Sequence, residues 1–176
     1  MVIETIHPDD AKNVTVSYDI KVPEGVRVSM VECSNGNIDV RGVSGDPVLT
    51  TSNGNINASE INGVLLARSS NGDLVVSAID ALASLRTSNG SIEAELQAVA
   101  EDLEIRTSNG SIKLSINPEL ALDLEANTSN GEISFSNLGL ETTLLEQTAL
   151  TGSMNGGGHK LNITTSNGSI DLTQLQ

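Results

Sequence analysis

The chain has 176 residues, with 9 Lys and Arg against 23 Asp and Glu, so its formal net charge is −14. That balance excludes nucleic acid as a partner, since a phosphate backbone demands a basic surface, and it disfavours docking on anionic lipid. One Phe, one Tyr, no Trp and one Cys exclude a wide aromatic core, an internal disulfide and a cysteine zinc site. The interior is expected to be thin, filled in layers by Ile, Leu, Val and Ala.

The first 30 residues read as an N-terminal lead and cap, less regular than the rest of the chain, holding Tyr18 and the prolines Pro8 and Pro23. The opening "MVIETIHPDDAKNVTVSYDI" has neither the charged start nor the apolar stretch of an export signal, and no run approaches a membrane span of roughly 18 apolar residues. No direct membrane insertion is expected.

From residue 31 to 176 the chain repeats itself. The triplet Ser-Asn-Gly recurs with its Asn at 35, 53, 71, 89, 109, 130 and 167, giving spacings of 18, 18, 18, 20, 21 and 37. Periods near 20 mark solenoids and arrays. Three residues after each Asn stand Ile38, Ile56, Leu74, Ile92, Ile112, Ile133 and Ile170; five after stand Val40, Ala58, Val76, Ala94, Leu114, Phe135 and Leu172. Four before stand Val31, Leu49, Ala67, Leu85, Ile105, Ala126 and Ile163, and two before stand Cys33, Thr51, Ser69, Thr87, Thr107, Thr128 and Thr165. Apolar or small positions alternate with polar ones on both sides of the triplet, the period of half-buried strands. Cys33 occupies a place where other copies carry Thr or Ser, so it reads as a small buried filler.

Asn-Gly between alternating segments is also a hairpin signal, so an antiparallel meander competes with a parallel β-solenoid. Identity of the triplets favours the solenoid. A corner resting on its own copy lets the amides of Asn35, Asn53, Asn71, Asn89, Asn109, Asn130 and Asn167 donate and accept along a ladder, whereas a meander would accept any good turn. The predicted fold class is all-β: a single-stranded parallel β-helix of about 7–8 coils of 18–21 residues, one SNG corner per coil. The longer spacings place extra residues at the opposite corner, around "QAVAED" and "SINPEL". The spacing of 37 reads as 18 plus 19, two coils with the middle triplet lost. In "GSMNGGGHK" the glycines let a lengthened coil turn back onto the stack.

The repeated T-x-[NS]-G-x-I steps, the opening "YDIKVPEGVRVSMVECSNGNIDVRG" and the close "GGGHKLNITTSNGSIDL" resemble bacterial adhesin-like domains of the DUF4097 type over roughly residues 14–172. The resemblance implies a right-handed β-solenoid, found in exported or envelope-associated proteins, with no established catalytic residues.

Chemistry is sparse. His7 and His159 are the only histidines and stand far apart, so neither a metal pair nor a triad is indicated. No catalytic, cofactor-binding or metal residue is predicted. Nine-residue Gly/Asp calcium-roll steps are absent. The outward acids Asp39, Glu93 and Asp171 share one column, interrupted by Asn57, Val75 and Lys113, which avoids stacking like charges. One column breaks that rule: Arg68, Arg86 and Arg106 form an outward cationic strip in successive coils, with Glu93, Glu95 and Glu104 as expected neutralising acids. It is the candidate binding strip for a protein or an acidic glycan. The C-terminal coil ends abruptly at "SIDLTQLQ", which predicts an open edge available for end-to-end self-association. The expected function is a non-enzymatic scaffold or adhesin-like interaction domain at a bacterial cell envelope or outside the cell. A carbohydrate-active β-helix enzyme, lyase or glycosidase, is the alternative. An ice-binding solenoid is a weaker one, because the Thr column has the parity of the buried positions.

Overall fold

The computed structural model describes residues 2–4, 16–23 and 25–176; His7 and Pro8 lie outside these. Among the described residues the structure is all strand, turn and loop, without a helix.

Each SNG corner separates two strands. β1 (Met30–Asn35) and β2 (Ile38–Ser44) flank the first corner, and β3 (Val48–Asn53) enters the second. β4 (Ile56–Asn71) leaves the second corner and runs on into the third, where β5 (Leu74–Arg86) begins. β6 (Ile92–Leu96) leaves the fourth; β7 (Leu103–Arg106) and β8 (Ile112–Ile116) flank the fifth. The intervals between β6 and β7 and between β8 and β9 (Leu122–Asn130) hold the extra residues of the longer coils. The chain leaves the post-corner arm through a left-handed residue at one place in three coils, Gly42, Glu60 and Ala78, with φ of 65°, 55° and 51°.

Successive coils lie parallel and in register, Ile38 on Ile56, Ile56 on Leu74, Leu74 on Ile92 and Ile92 on Ile112. A parallel stack places each side chain on its counterpart, so one apolar column per inward position makes the core. Leu49, Ile56, Leu74, Leu85, Ile92, Ile105 and Ile112 are fully buried. The result is a β-solenoid-like sheet curled around a narrow aliphatic interior, with a single aromatic, Phe135, packed half-buried against it.

After the fifth corner the order of the stack departs from the order of the chain. β9 and β10 (Ile133–Ser136) do not lie on the fifth coil. They lie one rung further on and leave a slot. The chain then makes an antiparallel hairpin, β11 (Leu140–Leu145) and β12 (Ala149–Met154), with β12 antiparallel to β9. From there it returns through Asn155 to Gly158, and the last coil, β13 (His159–Asn167) and β14 (Ile170–Gln174), fills the slot. β13 pairs with β7 on one side and β9 on the other; β14 pairs with β8 and β10. The corners therefore stack in the order 35, 53, 71, 89, 109, 167, 130.

This corrects two expectations. The 37-residue spacing holds no coil with a lost triplet, because a hairpin and a return connection occupy it. The C-terminal coil is not an open edge, so end-to-end association through it has no free strand to use: both its neighbours are already paired. The return is where glycine matters. Gly156 and Gly157 have φ of 85° and 84°, and a Cβ on Gly158 would stand 2.4 Å from the Ala121 carbonyl oxygen. Asn155 fastens the turn, its amide donating to the carbonyls of Pro118 and Leu120 at 2.8 Å each.

The two ends differ. At the far end Leu150 and Met154 on β12 are fully buried beside β9, and the backbone N–H groups of Thr128 and Ile133 donate to the carbonyls of Thr148 and Gln147. At the near end, among the described residues, β1 pairs only with β3, and β2 pairs with β4 and, through Ser44, with an isolated bridge at Arg27, while residues 16–23 form no strand. Cys33 is half-buried at this end rather than fully enclosed.

Candidate interaction surface

The corner is built from three rows of bonds. In the first, each Asn amide donates to the Asn carbonyl oxygen of the preceding rung: Asn53 to Asn35 at 2.8 Å, then Asn71, Asn89 and Asn109 in turn at 2.9 Å. Asn167 then donates to Asn109 at 2.8 Å, and Asn130 to Asn167 at 3.0 Å. In the second, the hydroxyl two residues before the Asn donates to the Gly carbonyl of the preceding rung, as Thr87 does to Gly72 and Thr107 to Gly90, both at 2.9 Å. The first rung carries Cys33 at that place and, among the described residues, has no glycine carbonyl beneath it to receive a hydroxyl. The Thr side chains are thereby buried in the corner and offer no flat outward Thr face.

Sequence reasoning missed the third row. The side-chain oxygens of Asn37, Asn55 and Asp73, two residues after the Asn, accept the backbone N–H of the next rung at 2.9, 2.9 and 2.7 Å. The signal was available, since this column holds only Asn, Asp, Ser and Glu: Asn37, Asn55, Asp73, Ser91, Ser111, Ser169 and Glu132.

Contact between rungs is close. A Cβ on Gly90 would stand 2.1 Å from the Gly72 carbonyl oxygen, so glycine is required for the corners to touch.

Arg68, Arg86 and Arg106 are exposed and stand on adjacent rungs in direct register. Thr50 and Thr164 bound the row. Of the three acids expected to neutralise it, only Glu104 does so, pairing with the Arg86 guanidinium. Glu93 and Glu95 lie on the other arm of the coil, β6, and the Glu95 carboxylate accepts the backbone N–H of Ala78. Arg68 and Arg106 have no ion-pair partner among the described residues.

On the other face the inserted coil changes the charge order. Lys113 is flanked in register by Glu93 and Asp171, so charges alternate along Glu93–Lys113–Asp171. Near the open end two exposed ion pairs tie neighbouring coils. Arg41 grips Glu60 at 2.7 Å, and its hydrogen bond holds the Glu60 carboxyl below its ordinary range while raising the guanidinium pKa. Asp46 accepts the Val64 N–H and meets Arg27 at 2.9 Å; the backbone bond is the larger cause of its lowered pKa.

A shallow open groove of about 350 Å³ runs between β9, β12 and β13, lined by Asp123, Glu125, Thr143, Thr151, Lys160 and Asn162 among others. The acids in and beside it are separated, and all but Asp123 have a partner. Asn162 stands in register between Glu104 and Glu125, the Glu125 carboxylate accepts from the Asn127 amide at 3.2 Å, and Asp102 accepts the Lys160 N–H at 2.9 Å. The His159 ring nitrogen lies 3.9 Å from Asp102. Among the described residues no three His, Cys, Asp or Glu side chains are grouped to hold a metal ion, and no helix is long and apolar enough to cross a membrane.

A parallel all-β stack, stapled by side-chain rows at its corners and presenting only shallow surface, defines a solenoid-like repeat protein. The chain matches the model of the Toastrack family DUF4097 over residues 4–173, and it belongs to that family. A solved structure described as a "putative cell adhesion protein" from Clostridium sporogenes ATCC 15579 is similar in fold, with a TM-score of 0.51 at 9% identity. The match covers 89% of this chain and 97% of that one. No curated protein matches the chain.

Proposed function

We propose that this chain is a non-enzymatic, adhesin-like interaction domain, a rigid right-handed β-solenoid that displays a binding surface at a bacterial cell envelope or outside the cell. One observation carries the reading. The Asn row is unbroken through all seven corners, so every coil is spent on holding its neighbours, and the shallow groove between β9 and β13 brings no two acids together. Six steps at about 4.8 Å give a stiff stack of roughly 30 Å. The adhesion description of the structural neighbour supports the same class.

The test is retention of the purified chain on isolated bacterial envelope polysaccharide and protein fractions, with release of reducing or unsaturated sugar measured in parallel. Saturable retention without turnover is the expected outcome. Sugar release that disappears in Glu104→Gln or Glu125→Gln would replace this reading with the carbohydrate-active enzyme.

A further inference from the structure

We infer that Arg68, Arg86 and Arg106 form a subsite for a linear polyuronate, a glycan carrying one carboxylate per sugar; this rests on the interaction-domain reading and names its ligand class. The first argument is a contrast within the molecule. Across the coil, the column Asp39, Asn57, Val75, Glu93, Lys113, Asp171, Ser134 separates or alternates its charges, as stacked strands ordinarily must. The arginine row instead places three like charges on consecutive rungs of a chain whose net charge is −14 and leaves two of them without an acid. Simple solubility calls for no such arrangement on a surface with acids to spare.

The second argument is spacing. Guanidinium groups on adjacent parallel strands repeat at about 4.8 Å, close to the advance of one sugar along an extended uronate chain. Alternate sugars of an extended chain turn the same side outward, so three sugars lying along the stack axis present carboxylates two rungs apart, at about 10 Å, to Arg68 and Arg106, the two arginines without an acid; guanidinium is the group best suited to grip carboxylate through two parallel hydrogen bonds. A nucleic acid would have to bring its longer run of phosphates over the acidic remainder of the surface.

The third argument is unspent hydrogen-bonding capacity beside the row. Two residues beyond each arginine, on the same outward side, stand Ser70, Ser88 and Ser108, whose hydroxyls have no partner among the described residues and suit sugar hydroxyls. Beneath the centre of the row, Ser84 is only 7% exposed and its Oγ is buried without a hydrogen-bond partner. Ser84 lies in register with Leu66 and Glu104 and two residues before Arg86. Glu104, in register with Ser84, holds Arg86 at the centre of the row, so the ligand carboxylates fall to Arg68 and Arg106 on either side of it.

Calorimetric titration with oligogalacturonates of one to six sugars tests the proposal. Affinity is expected to rise about tenfold or more from one sugar to three and to change little from three to six, each tenfold being about 1.4 kcal/mol. The double variant Arg68→Gln/Arg106→Gln is expected to lower affinity for the trimer at least about tenfold while its melting temperature stays that of the parent. Carboxyl-reduced, neutral oligomers are expected not to bind. Equal binding of neutral and acidic oligomers, no binding of the acidic ones, or an unchanged double variant would overturn the proposal. If the double variant is still retained on envelope fractions, the interaction-domain reading stands and the arginine subsite falls.

Discussion

The two ends of the stack solve one problem in different ways. A solenoid end exposes strand edges and the last layer of its core. At the far end the chain overshoots, folds β11 and β12 antiparallel across the last rung, and sends its own terminus back between coils already laid down. At the near end the described residues leave β1 with one partner, Met30 65% exposed and Cys33 half-buried, and the adjoining coils are tied by exposed ion pairs. One end is secured by topology and buried apolar area, the other by local electrostatics. Interactions at the first should therefore be cooperative and costly to lose, and those at the second small and separable.

A truncation at the far end set against point changes at the near end tests this most severely. Deleting residues 159–176 removes Leu161, Ile163, Ile170 and Leu172, all fully buried, from between two rungs. At roughly 1.5–3 kcal/mol per side chain the loss is on the order of 10 kcal/mol, comparable with the whole stability of a domain. Loss of cooperative thermal unfolding by circular dichroism is expected, whereas Arg27→Gln with Arg41→Gln, which removes both ion pairs of the near end, should lower the melting temperature by only a few degrees. Equal damage from the two changes would end the contrast.

A finer test puts the same substitution at corresponding corners. Gly36 and Gly90 have nearly the same backbone, φ 151° and 157°, yet an added Cβ meets only the Cys33 Sγ at 3.3 Å in the first case and the Gly72 carbonyl oxygen at 2.1 Å in the second. Gly90→Ala should cost about 3 kcal/mol or more in urea unfolding, and Gly36→Ala about 1–2, the part due to backbone strain alone.

The smallest effect is electrostatic. Asp46 and Glu60 have carboxyls held below their unfolded values, so their stabilisation is present above the ordinary carboxylate range and is lost as pH falls through the lower folded values. Asp46→Asn should lower the melting temperature by about 1–3 °C at pH 7, and the gap to the parent should close as the pH is taken down below the ordinary carboxylate range. A gap independent of pH would place the role of Asp46 in shape rather than charge.

Much of this molecule was legible in the residues. The inward columns, the need for glycine at the corner, and the direction of the arginine row all come from a period of two within strands and about 18 between them. The acids facing that row were not legible, since Glu93 and Glu95 share its coils but stand on the other arm of the turn, and only Glu104 sits close enough to pair. Ser84 also escaped notice, because a bulge between β4 and β5 near residues 65 and 66 moves a nominally outward serine under its neighbours.

What the sequence by itself determined is the coil: its strands, its corner, its thin aliphatic core and its family. Only the tertiary structure decided the order of the coils. Every rung presents the same Asn, Gly and Ile columns, so the residues at a corner fit any other corner equally well and cannot say which two belong together. The choice is made by the connections, where the hairpin β11–β12 covers the end and Gly156 to Gly158 let the chain reverse into the slot before it. A repeat encodes how to stack, and the irregular segments between repeats encode what is stacked on what.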